Sequence, residues 1–436
     1  MINKWFNAKR GKVSGNRNPK RNQNTQRFGE FEQLEEKRCL AFLGFFDGIT
    51  LELRQTADDG DALVENSTGV WTVTDNADTF TFDAAENIVV NMLPDTANRL
   101  SVGVELEHSG NVELLLGDGV REALMVGQLN EIGGNLVVQA GAGIQEIGLA
   151  GLEEAPAAPL IVRGDVDIQL GQGLDIVQSN AALVTIDGDL SMSGVNDFEY
   201  QLQVGVVGAP TGGNWSMDNS FEDQPSILTP GNATIEGDFS YEGGINIDRV
   251  DLGGSTIEGG VSVNLGLGNP FFGDPQLFEM TGTVNTGDMM ITAGDSNLGN
   301  EINLLGGFNG NIVSYNGGNL VDTVDYSLNS GDPANADAFF VMGEGADEFL
   351  LNQPANLLEI DFGNDVGDVF ENNVGVIDFE YDITNFHNFD FFYTALDDRL
   401  VANQLIDTGS VVVDNDGGVT GVDWRISPNL GGVASL

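Results

Sequence analysis

Apolar and polar residues alternate along most of this chain in runs too short for helices. From Gly48 onward "ITLELR", "VWTVT", "TFTF" and "NIVVNML" follow one another, separated by Asp, Asn and Gly, which is the pattern of half-buried strands between tight turns. From Gly110 the alternation locks to a repeated phrase: a glycine, then Asn, Asp or Gly, then an apolar residue, usually with another two places on. It reads G-N-V-E-L at Gly110, and recurs at Gly134, Gly164, Gly188, Gly213, Gly237, Gly259, Gly287 and Gly310. The intervals are 24, 30, 24, 25, 24, 22, 28 and 23 residues. "VTIDGDLSM", "ATIEGDFSY" and "STIEGGVSV" also share an apolar residue two places before the glycine, so the units resemble one another beyond being glycine-rich.

A period of about two dozen residues with turn chemistry and then alternation predicts an all-β chain wound as a parallel β-solenoid, a right-handed β-helix, with about 24 residues per coil. A string of β-sandwich domains is the competing architecture, since it also shows short strands with regular turns. Glycine is expected to supply the positive φ of each corner, with Asn or Asp supporting it through side-chain hydrogen bonds to the backbone. Gly243, Gly306 and Gly318 fall out of phase, whereas Gly367 and Gly417 return at intervals of 49 and 50, about two coils each. "GVREALMVGQL" suits either a turn or two of helix or one more coil. Insertions near "EEAPAAP" and "NPFFGDPQLF" account for the intervals of 30 and 28. Three regions are expected: 1–46 as a basic leader, 47–328 as the solenoid, and 329–436 as variant acidic coils with a C-terminal cap.

Charge sharpens the division. Residues 1–40 hold ten Lys and Arg against four Glu, a net +6, which leaves −56 on the rest of a chain whose formal total is −50. No lysine follows Lys37, and beyond residue 40 the only Lys or Arg are seven scattered arginines. Such a surface repels nucleic acid and anionic lipid and attracts cations or basic partners. No apolar run approaches the 18 or more residues of a membrane-spanning helix. A single cysteine, Cys39, excludes an internal disulfide framework and a zinc-finger pattern.

Two resemblances bear on the ends of the chain. Phe31, Glu32, Leu34, Glu35, Arg38 and Leu40 of "FEQLEEKRCLAF" follow, with one extra residue before Arg38, the order of the LEPR-XLL segment near the N-terminus of large exported proteins of planctomycetes and some other bacteria. That likeness covers about a dozen residues; it implies export and a bacterial origin, not an activity. Near the other end, "GGNLVDTVDYS" and "MGEGADEFL" resemble the calcium-binding nonapeptide of RTX proteins, in which aspartates and loop carbonyls hold calcium between turns of a β-roll. By that resemblance Asp322, Gly343, Gly345 and Asp347 are candidate calcium-site residues, and "GNDVGDVF" adds Asp365 and Asp368. Leu320 and Met342 stand where the family has glycine, and ordinary acidic corners of a solenoid are the other reading of the same residues.

Catalytic chemistry finds little footing. Lyases acting on acidic polysaccharides place a lysine or arginine beside the sugar acid, and here the coils have no lysine and a charge that repels such a substrate. A glycoside hydrolase needs paired carboxylates, but among 67 acidic residues pairs arise by chance. His108 and His387, one per distant region, make neither a triad nor a metal site without further assumptions, and both are expected at corners. The aromatic run "FEYDITNFHNFDFFY", 379–393, is expected to fill or close the core, with a sugar-binding platform as the alternative.

The repeats also loosely resemble those of filamentous-haemagglutinin-like adhesins, which implies a rod that presents surface. The expectation is therefore a non-catalytic, secreted or cell-surface bacterial β-solenoid with a structural or adhesive role. Its expected partners are cations, cell-surface polysaccharide or other surface proteins, with no nucleic acid and no membrane span. A calcium-binding acidic module and a polysaccharide-active enzyme are the two alternatives.

Overall fold

The computed structural model describes residues from Phe42 to Ile426, except for stretches between strands such as 57–61, 94–98, 150–159, 195–201, 269–274 and 330–335. Beyond Asp368 it describes strand backbones only; residues 1–41 of the expected leader, the insertion at "EEAPAAP", Gly367, His387 and Gly417 lie outside the described residues. Every described element is a strand, and almost every pairing is parallel between segments one coil apart. The chain is a parallel β-solenoid.

Each complete coil has three faces. Residues 160–186 show one: Leu160–Val162 on a narrow third sheet, a corner at Arg163, Gly164 and Asp165, then Val166–Gln169 on the first sheet. A second corner at Leu170 and Gly171 leads to Asp175–Ser179 on the second sheet, and a third returns the chain to Val184–Ile186. Among the described residues the first sheet has 17 strands, stacked in register so that Val112, Leu136, Val166, Leu190, Trp215, Phe239, Val261 and Met289 lie above one another. Those steps repeat the spacing of the glycine phrases, including the long intervals of 30 and 28, so the insertions leave the stack intact. "GVREALMVGQL" contributes a strand, Arg121–Met125, of the second sheet. The ladders also cross residue 328 unbroken, because Ile312–Asn316 pairs with Asp337–Val341 and Asp322–Tyr326 with Glu348–Leu351.

Alternation does what period two requires. Two inward rows on the first sheet, one running Leu190, Trp215, Phe239 and Val261 and the other Met192, Met217, Tyr241 and Val263, are fully buried. The apolar residue two places before Gly134, Gly164, Gly188, Gly237 and Gly259, namely Ile132, Val162, Ile186, Ile235 and Ile257, forms the inward row of the third sheet. Each such side chain contributes on the order of 1.5–3 kcal/mol by burial. Aromatics interlock where the rows widen: Trp215 meets Phe239 edge-on at 5.8 Å, and Phe340 meets Phe349 at 4.7 Å.

The open end of this core at the first coil is closed by strands that abandon the parallel rule. Phe42–Phe46, within the stretch expected to be leader, pairs antiparallel with Thr50–Gln55, and Phe42 is buried. On the second sheet Ala62–Ser67, Val70–Asp75 and Asp78–Phe82 form an antiparallel meander that lays Trp71 over the interior, edge-on to His108 at 5.2 Å. The detour stretches the step from Leu51 to Ile88, its partner in the next coil.

The first corner is the point of greatest regularity. The backbone N–H of Asn111 donates to Asn87 Oδ1, that of Asn135 to Asn111 Oδ1, and the chain of bonds continues through Asp165, Asp189, Asn214 and Asp238 to the N–H of Gly260, at 2.7–3.0 Å. Each corner Asn or Asp thus reaches up to the amide of its counterpart one coil on. The glycine beside it makes room: a Cβ on Gly188 would lie 2.3 Å from Asp165 Oδ1 and 2.7 Å from the Gly164 carbonyl carbon. None of the nine phrase glycines has a positive φ, so the expectation of a left-handed corner is corrected. Space for the neighbouring side chain, not backbone handedness, is what requires glycine there.

The out-of-phase glycines belong to the other two corners. Gly318 packs over the Gly294 carbonyl and Gly343 over that of Gly318, at the second corner, while Gly306 packs over Gly282 at the third. At Gly310 the phrase misleads by one place: Val313, not Ile312, stands over Met289, so Val313 is buried and Ile312 exposed.

Replacing Gly188 by alanine should displace the Asp165 carboxylate and lower stability by roughly 2–4 kcal/mol, whereas Asp189→Ala, which removes one bond of the ladder, should cost about 1 kcal/mol. Urea unfolding of both variants beside the parent chain measures this; equal and negligible shifts would disprove the steric account of the corner.

Candidate functional site

Sequence-derived calcium candidates come together, but as a column and not a cage. Successive residues that open the strands of the second sheet, Asp248, Gln276, Asn300, Asp322, Asp347 and Asp368, stack coil on coil, and all are buried, none more than 2 % exposed. Each leans into the second corner. Gly244 N–H donates to Asp248 Oδ2 at 3.1 Å, and Asn300 Nδ2 donates both to the Gly294 carbonyl at 3.0 Å and to Asp322 Oδ1 at 2.7 Å. Tyr315 Oη donates to Asp322 Oδ2 at 2.8 Å. Going up the column, Asp322 N–H donates to Asp347 Oδ1 at 2.8 Å and Asp347 N–H to Asp368 Oδ1 at 3.1 Å.

Gly343 and Gly345, the other candidates, have φ of 94° and 144° and shape the turn above. A Cβ on Gly343 would strike the Gly318 carbonyl oxygen. Asp365 lies outside the described residues. Nearest neighbours in the column are one coil apart in sequence, about 25 residues, where a nonapeptide roll places them nine apart. Among the described residues no three His, Cys, Asp or Glu side chains converge as a metal centre would require. What the arrangement does is satisfy corner amides from inside the core, the counterpart of the Asn and Asp ladder on the first corner.

Burial has a chemical price at Asp322. Its carboxyl is pushed up to about 7, against the opposing pull of the Tyr315 hydroxyl, the Asn300 amide and the Gly318 N–H. The Tyr315 hydroxyl is itself raised, by burial first and by the neighbouring Asp322 second.

A second feature lies on the outside of the first sheet. A shallow groove of about 890 Å³ follows the coils from Asn135 to Met290. One wall is the corner ladder of Asn135, Asp165, Asp189, Asn214, Asp238 and Asp288; the floor is the outward row Val137, Asp167, Ser191, Ser216, Ser240, Ser262 and Met290. Ser191 Oγ donates to Asp167 Oδ1 at 3.0 Å. The alternation that buries Leu190 and Met192 is what turns Ser191 outward, so core and groove are two sides of the same strands.

The remaining candidates are structural where they are described. His108 is 3 % exposed, its Nε2 3.3 Å from the Asn111 carbonyl, and burial lowers its tendency to take a proton. Arg163 is held by Glu131 at 2.7 Å and Asp187 at 2.9 Å, which raises its already high pKa and commits its guanidinium. The aromatic run 379–393 supplies strands Glu380–Thr384 and Asn388–Phe392 to the two ladders; its side chains lie outside the described residues. No helix among the described residues is long and apolar enough to cross a membrane.

With this geometry in hand, comparison with known proteins adds nothing: no family model, no curated protein and no solved structure matches the chain.

The sign of the Asp322 effect follows from its raised value. The protonated, buried form stabilises the fold fully below the ordinary carboxyl value of 3.8, and that stability is lost as pH rises through about 7. Asp322→Asn keeps the shape and removes the titration. Between pH 4 and pH 8 the melting temperature of the parent should therefore fall relative to the variant, by the equivalent of up to about 4 kcal/mol; parallel curves would show that Asp322 is not the titrating group.

Proposed function

We propose that the chain is a non-catalytic β-solenoid that serves as a structural or adhesive rod, secreted or displayed at a bacterial cell surface. One observation carries this reading: inward rows and corner ladders persist coil after coil, whereas the outward positions are held by neither. A repeated interior that leaves its outer faces unconstrained is the design of a scaffold that presents surface. The LEPR-XLL-like segment, 31–42, supports export. The acidic polysaccharides on which lyases act are disfavoured by the same charge that favours cations, and cell-surface polysaccharide or other surface proteins are the partners of an adhesive rod.

Two experiments test the reading. Fractionating the native cells and sequencing the N-terminus of the recovered protein should place it in the surface or medium fraction; recovery from the cytosol would overturn it. Incubation with neutral and acidic polysaccharides should release neither new reducing ends nor unsaturated sugars, and either product would make the chain an enzyme.

A calcium-dependent acidic module is the second reading, favoured by −56 of charge on the residues after 40. If calcium binds the folded chain alone, millimolar calcium should raise the melting temperature by several degrees, as mass action requires. An unchanged melt in calcium and in chelator would remove that alternative.

A further inference from the structure

The groove on the first sheet belongs to no part of the folding argument: its floor could be any outward row. Its dimensions and chemistry nevertheless restrict what would fit. It crosses seven coils, which at strand spacing makes it roughly 30 Å long. That suits an extended polymer laid along the solenoid axis better than a compact metabolite.

The lining contains no lysine, arginine or histidine, so an anionic chain would meet five carboxylates with no cation to offset them and is disfavoured. It is rich in acceptors, and these call for a ligand that brings many donors. Two classes qualify, a polyhydroxylated chain and a basic peptide. Three features favour the first. The Oδ1 atoms of Asp165, Asp189 and Asp238 are already engaged by the next coil's amides, which leaves half of each carboxylate for a ligand. Neutral Asn214 and Gly260 interrupt the acidic wall, so it is no continuous track for a polycation. The floor is a file of hydroxyls, Ser191, Ser216, Ser240 and Ser262, one per coil, flanked by Asp167 on one side and Met290 on the other, with Val137 one coil beyond Asp167; the apolar surfaces of Val137 and Met290 match the C–H faces of a sugar ring.

We propose that this groove binds an extended, neutral polysaccharide chain running parallel to the solenoid axis, its hydroxyls bonding to the serine file and the outer oxygens of the corner carboxylates. The proposal rests on the reading of the chain as a surface rod and names the partner of that rod.

Affinity electrophoresis of the full chain tests it, with hydroxyethyl cellulose, dextran and yeast mannan cast separately into native gels, and polygalacturonate and poly-lysine as the acidic and basic probes. At least one neutral gel should retard the protein and polygalacturonate should not. Ser216→Trp with Ser240→Trp, which fills the floor, should weaken that retardation tenfold or more, while Thr323→Trp, outward on the second sheet, should leave it intact. Circular dichroism and melting of each variant establish that it is folded; if the double variant does not fold, Ser262→Arg on the same file is expected to act likewise. Absence of retardation in every neutral gel, retardation that the groove variants leave unchanged, or groove-dependent binding of poly-lysine alone would each overturn the proposal. None of those outcomes touches the surface-rod reading, which stands or falls on cell fractionation and on product release.

Discussion

Everything in this chain depends on stacking in register. A solenoid strand has no partner within its own coil, so the backbone N–H and C=O groups of each face are satisfied only by the coils above and below. A slip of one residue would turn a buried row outward. The corners hold the register. At the first, the side-chain oxygen of each Asn or Asp engages the amide of its counterpart one coil on, and glycine packs on glycine because nothing larger leaves room for that side chain. At the second, a buried polar residue serves the backbone from within: Asp248 accepts from the corner amide of Gly244, and Asp347 from the N–H of Asp322 in the preceding coil. Both devices are one-per-coil and both fail if the count is wrong locally, yet they tolerate extra residues between corners, which is why steps of 30 and 28 coexist with steps of 24.

Charge sets the second constraint. Two carboxylates stacked at strand spacing repel by about 1 kcal/mol in water, and by more where solvent is excluded. The first-corner ladder accepts this only between Asp165 and Asp189; elsewhere Asn111, Asn135, Asn214 and Gly260 separate the acids. The amide and the carboxylate offer the same accepting oxygen, so the ladder can alternate them without losing a bond. On the third face the single Arg163 bridges Glu131 and Asp187 across three coils, an exposed arrangement that relieves repulsion more than it adds stability.

How much of this could be read from residues alone follows from what periodicity can carry. The coil, its length and its inward rows were legible because glycine, Asn or Asp and alternating apolar residues repeat at one beat. Gly243, Gly306 and Gly318 looked like noise because a single phrase describes one corner, while the coil has three. The role of glycine was misread as a demand for positive φ, since the side chain that actually excludes a Cβ at Gly188 comes from Asp165, 23 residues earlier. The column of Asp322, Asp347 and Asp368 was flagged by its glycines and spacing, but burial beneath a corner is invisible in a string of letters, and D-x-apolar suits a strand that opens on an inward polar residue as well as a calcium loop. The antiparallel cap around Trp71 left no periodic trace at all, being used once.

The same logic locates where function can reside. Inward rows are fixed by packing, and corner positions by the ladders, so a substitution at Leu190, Gly188 or Asp189 is felt by the neighbouring coils. Outward positions on the faces carry no such debt. Ser191, Ser216, Ser240 and Ser262 could be almost any residue that tolerates a strand, and a sheet surface would favour threonine or valine over serine there. A run of small hydroxyls held one per coil, beneath a wall that the ladder itself has polarised, is therefore not explained by folding, and it deepens the face where bulkier side chains would have levelled it. In a molecule whose interior leaves so little choice, the positions that ignore the fold's preferences are the ones that report on its surroundings.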